Sequence, residues 1–289
     1  MCTEINCCMI KNSKNKLAAT LTECSLESKQ KFKKYNLIWI EASGCSGNII
    51  SMLNADKPDA YEVLKDLVNV TYSNSLMVKQ GNTAFDLFME TLDSDFILVV
   101  EGAVSTRNNG IYNIIANYKD TPVTGSYAVS LAASKAKYVI ATGTCASFGG
   151  ISAAKPNYTN CISVGEFLGR KVINLPGCPC HPHWLIGTIA HLVLFGEPEL
   201  DEKNRPKIFY SISVHDSCTR RAYFEKRIFS KHTGEEYCMF KLGCRGPVTK
   251  ADCPNRKWNG QVNWPIGNNS TCIGCTQEKF PDGMEPYIK

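Results

Sequence analysis

Asn36-Leu-Ile-Trp-Ile-Glu41-Ala-Ser-Gly-Cys45-Ser-Gly47 is a short apolar run that stops at a charged residue and passes into a turn of small residues holding one cysteine. The same grammar recurs along the chain. Apolar, β-rich runs lie at 68–72, 95–101 (DFILVVE), 137–142 (KYVIAT) and 171–175 (KVINL), and stretches with helical character lie between them at 83–91, 111–118, 126–134 and 182–195. Near-continuous apolar strands separated by helices predict a parallel sheet covered on both faces, a doubly wound α/β domain. Three of the runs end in turns bearing Gly and Cys: Ser43-Gly-Cys45, Gly143-Thr-Cys145 and Gly177-Cys178-Pro-Cys180. Ligands gather at the carboxyl ends of the strands in such a sheet, so cysteines far apart in sequence are expected to converge there.

The chain has 289 residues, 44% hydrophobic and 20% charged, enough apolar material for a substantial core in one large domain or two smaller ones. Its formal charge of +5 is modest and its Lys and Arg are interleaved with Asp and Glu, which gives nucleic-acid binding no compositional support. No apolar run approaches the roughly 18 residues of a membrane span. The opening residues carry neither an apolar leader core nor a paired-arginine export signal, so the expected location is cytoplasmic. Fifteen cysteines are many for that compartment, and nine of them fall from Cys161 onward, which points to metal ligation.

Residues 1–33 are polar and Lys-rich and hold Cys2, Cys7, Cys8 and Cys24; they read as an extension with incidental thiols. The α/β pattern occupies 34–195. From 196 to 289 short segments rich in Gly, Pro, Asn and Cys show little periodicity, and bound metal is expected to help hold them together.

Two ligand sets stand out in that last region. Cys253, followed by Pro254, goes with Cys272-Ile-Gly-Cys275: three soft thiolates suit an iron-sulfur cluster with one iron missing, and equally a zinc site completed by histidine. His215-Asp-Ser-Cys218 with Cys238 and Cys244 supplies one imidazole and three thiolates, a set that also describes a structural zinc. Two separate sets within some sixty residues favour a chain of redox stations over a single structural staple. The strand-end cysteines Cys45, Cys145 and Cys178 form a third set, whose alternative is a series of tight strand exits built from small residues. Cys161 reads as a small buried hydrophobe, and His181 and His183 as helix-capping or solvated side chains with a second use as hydrogen-bond donors to cluster sulfur.

Taken in order, Trp39-Ile-Glu-Ala-Ser-Gly-Cys-Ser-Gly, Val100-Glu-Gly, Gly143-Thr-Cys-Ala-Ser-Phe-Gly-Gly, Leu175-Pro-Gly-Cys-Pro, HxxC, Cys-x5-Cys, Cys-Pro and CxxC resemble the small subunit of [NiFe] hydrogenases over roughly residues 36–280. The resemblance implies a flavodoxin-like domain followed by a C-terminal iron-sulfur domain with little regular structure. It implies a proximal cluster on Cys45, Cys145 and Cys178, a medial [3Fe-4S] cluster on Cys253, Cys272 and Cys275, and a distal [4Fe-4S] cluster on His215, Cys218, Cys238 and Cys244. Hydrogen would be split at a NiFe centre in a separate large subunit, and this chain would pass electrons to an acceptor from a heterodimer or a dimer of heterodimers. The chain lacks the paired CxxC motifs that bind nickel in that partner, so no catalytic residue is expected in it.

One position departs from the family. Where the first motif usually reads CxxC, the earlier residue here is Ala42, which binds no metal. The proximal centre is then either [3Fe-4S] or a [4Fe-4S] cluster completed by Cys180, Ser43, Glu41 or water. Other readings remain at this level: a hydrogen-sensing subunit, a cluster subunit of a quinone-reducing complex, and a zinc protein. Metal analysis separates the last, since iron with acid-labile sulfide gives a brown protein and zinc a colourless one.

Overall fold

The computed structural model describes residues 34–283. In chain order its main elements are β1 (Tyr35–Glu41), α1 (Gly47–Leu53), β2 (Val68–Ser73), α2 (Gly81–Thr91), β3 (Phe96–Glu101), β4 (Val104–Ser105), β5 (Ile114–Tyr118), β6 (Thr121–Thr124), α3 (Gly125–Lys135), β7 (Tyr138–Thr142), α4 (Gly143–Phe148), β8 (Cys161–Ile162), β9 (Ile173–Leu175) and α5 (Pro182–Phe195). Five strands form one sheet in the order β2-β1-β3-β7-β9, every pairing parallel. Counting those five alone, the order is 2-1-3-4-5, that of flavodoxin-like folds, with its switch point between β1 and β3.

Alternation of side chains along each strand divides the core. Leu37, Trp39, Ile97, Val99 and Ile140 face one layer together with Ile49 and Met52 of α1 and most of α5. Ile38, Ile40, Leu98, Val100 and Ala141 face the other, where Phe85 and Phe88 of α2 and Ala128, Val129, Ala132 and Ala133 of α3 cover them. The buried positions of α2 and α3 recur at three and four residues, the stripe an amphipathic helix needs, and the alanines let α3 lie close to the sheet. Central β3 is buried along its whole length, which is why its sequence shows no polar alternation.

Helix α5 is apolar on every side and buried from Pro182 to Ala190. A helix of that kind needs cover all round. The sheet covers one side, and Phe209, Tyr210, Val214, Met239, Trp264 and Ile266 from the irregular C-terminal region belong to the same core. That region therefore folds onto α5. Its loops are pinned by a buried ion pair: Asp252 accepts from Arg256 Nε at 2.9 Å and Nη2 at 2.7 Å, while its other oxygen accepts Trp184 Nε1 at 2.7 Å.

Residues 111–118 carry the one expected helix that the structure replaces. β5 and β6 form an antiparallel hairpin turned at Lys119 and Asp120, both with positive φ. Ile111, Ile114, Ile115 and Tyr118 follow helical spacing, but the turn residues and Pro122 at a strand edge decide for the hairpin.

The strands that carry the cysteine turns end level. Glu41 pairs with Glu101, Glu101 with Thr142, and Thr142 with Leu175. The chain then closes over the sheet edge with almost no space: Gly102 has φ +91°, and a Cβ on it would lie 2.6 Å from backbone atoms of Ser43 and Gly44. Gly81 also has a positive φ, yet a Cβ there meets nothing within 4 Å. Gly81→Ala is therefore expected to cost about 1 kcal/mol from backbone strain alone. Gly102→Ala, with strain and collision together, is expected to cost about 3–5 kcal/mol. Urea unfolding midpoints measure both, and equal losses would show that the strand-end turns are not closely packed.

Candidate metal centres

The first turn is built by backbone. Ser43 N–H donates to Ala103 O at 2.9 Å and Ala103 N–H returns to Ser43 O at 3.1 Å, so the segment after β1 is held against the one after β3. Ser46, at φ 56°, precedes α1 without a side-chain cap of its own. The cap comes from Glu101, whose carboxylate accepts Asn48 N–H at 2.8 Å, Ile49 N–H at 3.3 Å, Asn48 Nδ2 at 3.0 Å and Trp39 Nε1 at 3.2 Å. Burial raises the Glu101 pKa, and the donors gathered round the carboxylate oppose that rise. One buried carboxylate thus fixes the start of α1, and with it the exposed Cys45 just before the helix.

Cys145 lies in the first turn of α4, entered through Gly143 at φ 82°. Thr144 ties that turn to the third. Its N–H donates to Gly177 O at 2.9 Å, its hydroxyl accepts Gly177 N–H at 2.9 Å, and the same hydroxyl donates to Cys275 O. Cys178 is pushed up to about 12, first by burial and then by the neighbouring sulfurs of Cys275, Cys145 and Cys45. The fold therefore brings Cys45, Cys145 and Cys178 together, as the strand ends require.

Cys180 is placed differently. Its side chain is buried in the core layer with Trp39, Ile97 and Val99, and burial pushes it up to about 12. Its backbone N–H donates to Asn48 Oδ1 at 2.7 Å, and its thiol lies 3.6 Å from His181 O. Glu41 is already engaged, accepting Ser46 Oγ at 2.6 Å and Ser75 Oγ at 2.5 Å. Ala42 is buried with Ile38 and Ile40 in the second core layer. His181 caps α5, its Nδ1 accepting His183 N–H at 3.1 Å while Nε2 lies 2.5 Å from Lys257 O, and His183 Nε2 lies 3.2 Å from Asp56 Oδ1. Cys161 is buried beside Thr159 Oγ1, as a small core side chain. Cys2, Cys7, Cys8 and Cys24 lie outside the described residues.

Cys253 opens a short helix directly after the ion-paired Asp252, and Cys272 and Cys275 flank Gly274, whose φ is +76°. Burial raises all three thiols, Cys272 to about 12. His215, Cys218, Cys238 and Cys244 line one recess of about 340 Å³, with Phe240 and Ile266 in its wall. Arg220 braces it: the guanidinium donates to Glu235 O at 2.8 Å and Tyr237 O at 2.9 Å, and the Arg220 N–H points at Cys218 Sγ at 3.4 Å. The His215 ring packs edge-on against Phe224 with centroids 4.5 Å apart.

Contacts also link the sets. Cys275 O accepts the hydroxyl of Thr144, which also ties the proximal turns together. At the other end of the CxxC, Cys272 feels the charge of Cys244, and Cys272 O accepts Arg245 N–H at 2.7 Å. The Cys253 set thus touches both of the others.

Buried thiols raised this far are neutral, and ionising several side by side without a cation is costly. A polynuclear iron-sulfur core supplies that positive charge and accepts thiolates spread round a space. The donor sets fit clusters. Sequence reading missed Thr144, Arg220 and the Asp252–Arg256 pair; only the last had a local signal, an acid and a base four residues apart.

The C-terminal family of NiFe/NiFeSe hydrogenase small subunits matches residues 210–288, and the family of the NADH ubiquinone oxidoreductase 20 Kd subunit matches 45–192. The periplasmic [NiFeSe] hydrogenase small subunit of Desulfomicrobium baculatum is 34% identical, covering 88% of this chain and 87% of its own length. The periplasmic [NiFe] hydrogenase small subunit of Solidesulfovibrio fructosivorans is 35% identical, covering 88% and 81%. Among solved structures, recombinant [NiFeSe] hydrogenase from Desulfovibrio vulgaris Hildenborough superposes with a TM-score of 0.84 at 32% identity, covering 89% of this chain and 98% of that one. These relatives overturn the expected cytoplasmic location, since both curated proteins are periplasmic by name. An export address is a short receptor-read segment separate from the fold, so the composition of the folded part carries no information on compartment. No helix among the described residues is long and apolar enough to cross a membrane. Level strand ends, three thiol sets and relatives aligned over most of their length lead to one conclusion: the chain belongs to the family of [NiFe] and [NiFeSe] hydrogenase small subunits, the iron-sulfur partners of a large subunit that holds the NiFe centre.

Proposed function

We propose that this chain wires the large subunit's hydrogen-oxidising centre to an external acceptor through three stations: Cys45, Cys145 and Cys178 proximal; Cys253, Cys272 and Cys275 medial; His215, Cys218, Cys238 and Cys244 distal. The observation that carries the reading is the position of the middle set: Cys275 O accepts the hydroxyl of Thr144 from the proximal turns, and Cys272 O accepts Arg245 N–H, next to Cys244, at 2.7 Å. Iron-sulfur clusters, when bound, supply one-electron storage at each station. The chain's own residues set spacing and environment. Thr144 holds the proximal turns and Cys275 in one hydrogen-bonded unit, and the Asp252–Arg256 pair fixes the backbone that carries Cys253. His215 contributes a neutral ligand where a thiolate would add negative charge, which shifts the potential of the outermost station. The division into a 34–195 domain with the proximal station and a 196–289 domain with the other two follows from the same assignment. Cys180 is buried in the apolar core layer with Trp39 and Val99, which supports a proximal station with three protein thiolates.

His215→Ala in the heterodimer removes a ligand of the outermost station and is expected to slow dye reduction by about tenfold or more, at least the loss that follows from removing an outer-shell partner, while hydrogen-deuterium exchange at nickel continues. Parallel loss of both activities would remove the wiring role. The proximal Mössbauer spectrum is expected to be identical in wild type and Cys180→Ser; a changed spectrum would make Cys180 a ligand.

Cluster retention should depend on pH in a definite direction. Cys178 and Cys272 are neutral up to about 12 when no metal is bound. Each must release a proton to bind iron, so acid competes with metal and affinity rises with pH over the whole range below that value. Iron loss to a chelator, followed by the visible absorbance, is expected to accelerate as pH falls from neutrality. A pH-independent rate would show that thiol protonation does not control release.

A further inference from the structure

We propose that the surface over the His215 recess is the docking site of a small acidic one-electron carrier protein, an inference that rests on the relay reading above. Between Val214 and Lys250 stand eight Lys and Arg against four Asp and Glu, so this stretch carries a formal +4 of the chain's +5. Exposure then decides which charges a partner meets. Arg221 is occupied, 3.0 Å from Glu225 and 3.6 Å from Asp216. Lys226, Arg227, Lys231 and Lys241 are exposed, and no carboxylate among the described residues forms an ion pair with them. The anions left over are Glu236 and Glu235, and Glu235 already accepts the Lys231 N–H at 2.8 Å.

These cations stand on the segments that build the recess wall. Phe224 packs against the His215 ring with centroids 4.5 Å apart and against Phe240 at 5.2 Å, and Lys226 and Arg227 follow directly after the helix that carries it. Lys241 follows Phe240 and sits 5.0 Å over the ring of Phe229. Lys231 follows Ser230, whose N–H donates to the O of Cys238 at 2.9 Å. On the same segments, Phe240, Ile228 and Tyr237 are exposed at 45%, 40% and 37%. An apolar, aromatic centre with a charged rim is the anatomy of a protein contact, and electron-transfer encounters use the smallest such areas. The sign of the rim chooses the partner: free ammonium and guanidinium groups attract a carboxylate-rich carrier and repel a lysine-rich one.

The test uses the loaded heterodimer under hydrogen, with an acidic [2Fe-2S] ferredoxin and a lysine-rich c-type cytochrome as probes. Raising salt from about 0.05 to about 0.5 M is expected to raise the KM for the ferredoxin about tenfold at nearly constant kcat, as the Debye length contracts. Lys226→Glu with Lys241→Glu is expected to raise that KM about tenfold at low salt, weaken equilibrium binding of the ferredoxin by the same factor, and lower the KM for the cytochrome. Hydrogen-deuterium exchange is expected to be unchanged, and the charge-matched control Lys65→Glu with Lys171→Glu is expected to leave both KM values alone. A ferredoxin KM indifferent to salt and to the double reversal, or a cytochrome preferred by the unaltered protein, would overturn the inference. Its failure stays distinct from failure of the relay: in the first case His215→Ala still slows every acceptor, in the second it slows none.

Discussion

Four parallel strands end at the same level, and a single buried carboxylate secures the turns beyond them. Glu101 stands at the middle of that edge, paired across to Glu41 and Thr142. Its four hydrogen bonds reach α1, Asn48 and Trp39, so the turn holding Cys45 is fixed by the strand beside it. Asn48 extends the clasp, since its Oδ1 accepts Cys180 N–H at 2.7 Å and its amide fills the space that a Cβ on Gly143 would take. A helix N-terminus left uncapped would expose several backbone donors to a buried environment, so removing this carboxylate would loosen all three turns together.

Legibility in the sequence followed the range of the physics. The sheet was readable because strands buried on both faces must be apolar throughout, and α5 because a helix covered on all sides has no polar stripe. Residues 111–118 were misread because Ile111, Ile114, Ile115 and Tyr118 share a period with a helix; the information for a hairpin sat in Lys119, Asp120 and Pro122. The candidate thiol sets show in the sequence as spacings, since CxxC and HxxC turns are local. The hydrogen bonds from Thr144 to Cys275 and from Arg245 to Cys272 join residues far apart in the chain, and no local pattern encodes them. Thr144 stands inside the Gly143-Thr-Cys145 turn, but nothing in that motif tells that its hydroxyl links three segments.

The irregular C-terminal region shows how little regular structure a cluster carrier needs. Among the described residues its longest helix, Arg221–Glu225, has five residues. Order comes instead from packing on α5 and from the Asp252–Arg256 pair, and in the proposed relay from metal held by the buried thiols. Breaking one partner of a buried ion pair typically costs about 3–5 kcal/mol, a large share of the stability of any domain. Chain folding and metal loading are therefore coupled, because a region held by few contacts of its own gains most from a ligand that binds only the folded form.

On the proposed assignment Ala42 takes the place of a fourth proximal thiolate, and its surroundings bear on what that does. Its methyl lies in the apolar layer with Ile38 and Ile40, while Ser43 beyond it is held by two backbone hydrogen bonds to Ala103. The backbone that would carry the missing sulfur is thus held in place, Glu41 is bound by two serines, and Cys180 lies in the core. A station with three thiolates carries one negative charge fewer than one with four, and lower negative charge raises the potential of an iron-sulfur centre. In the proposed relay, alanine at this position would act on the energy of the first electron-transfer step and leave the geometry of the other two stations to the residues that hold them.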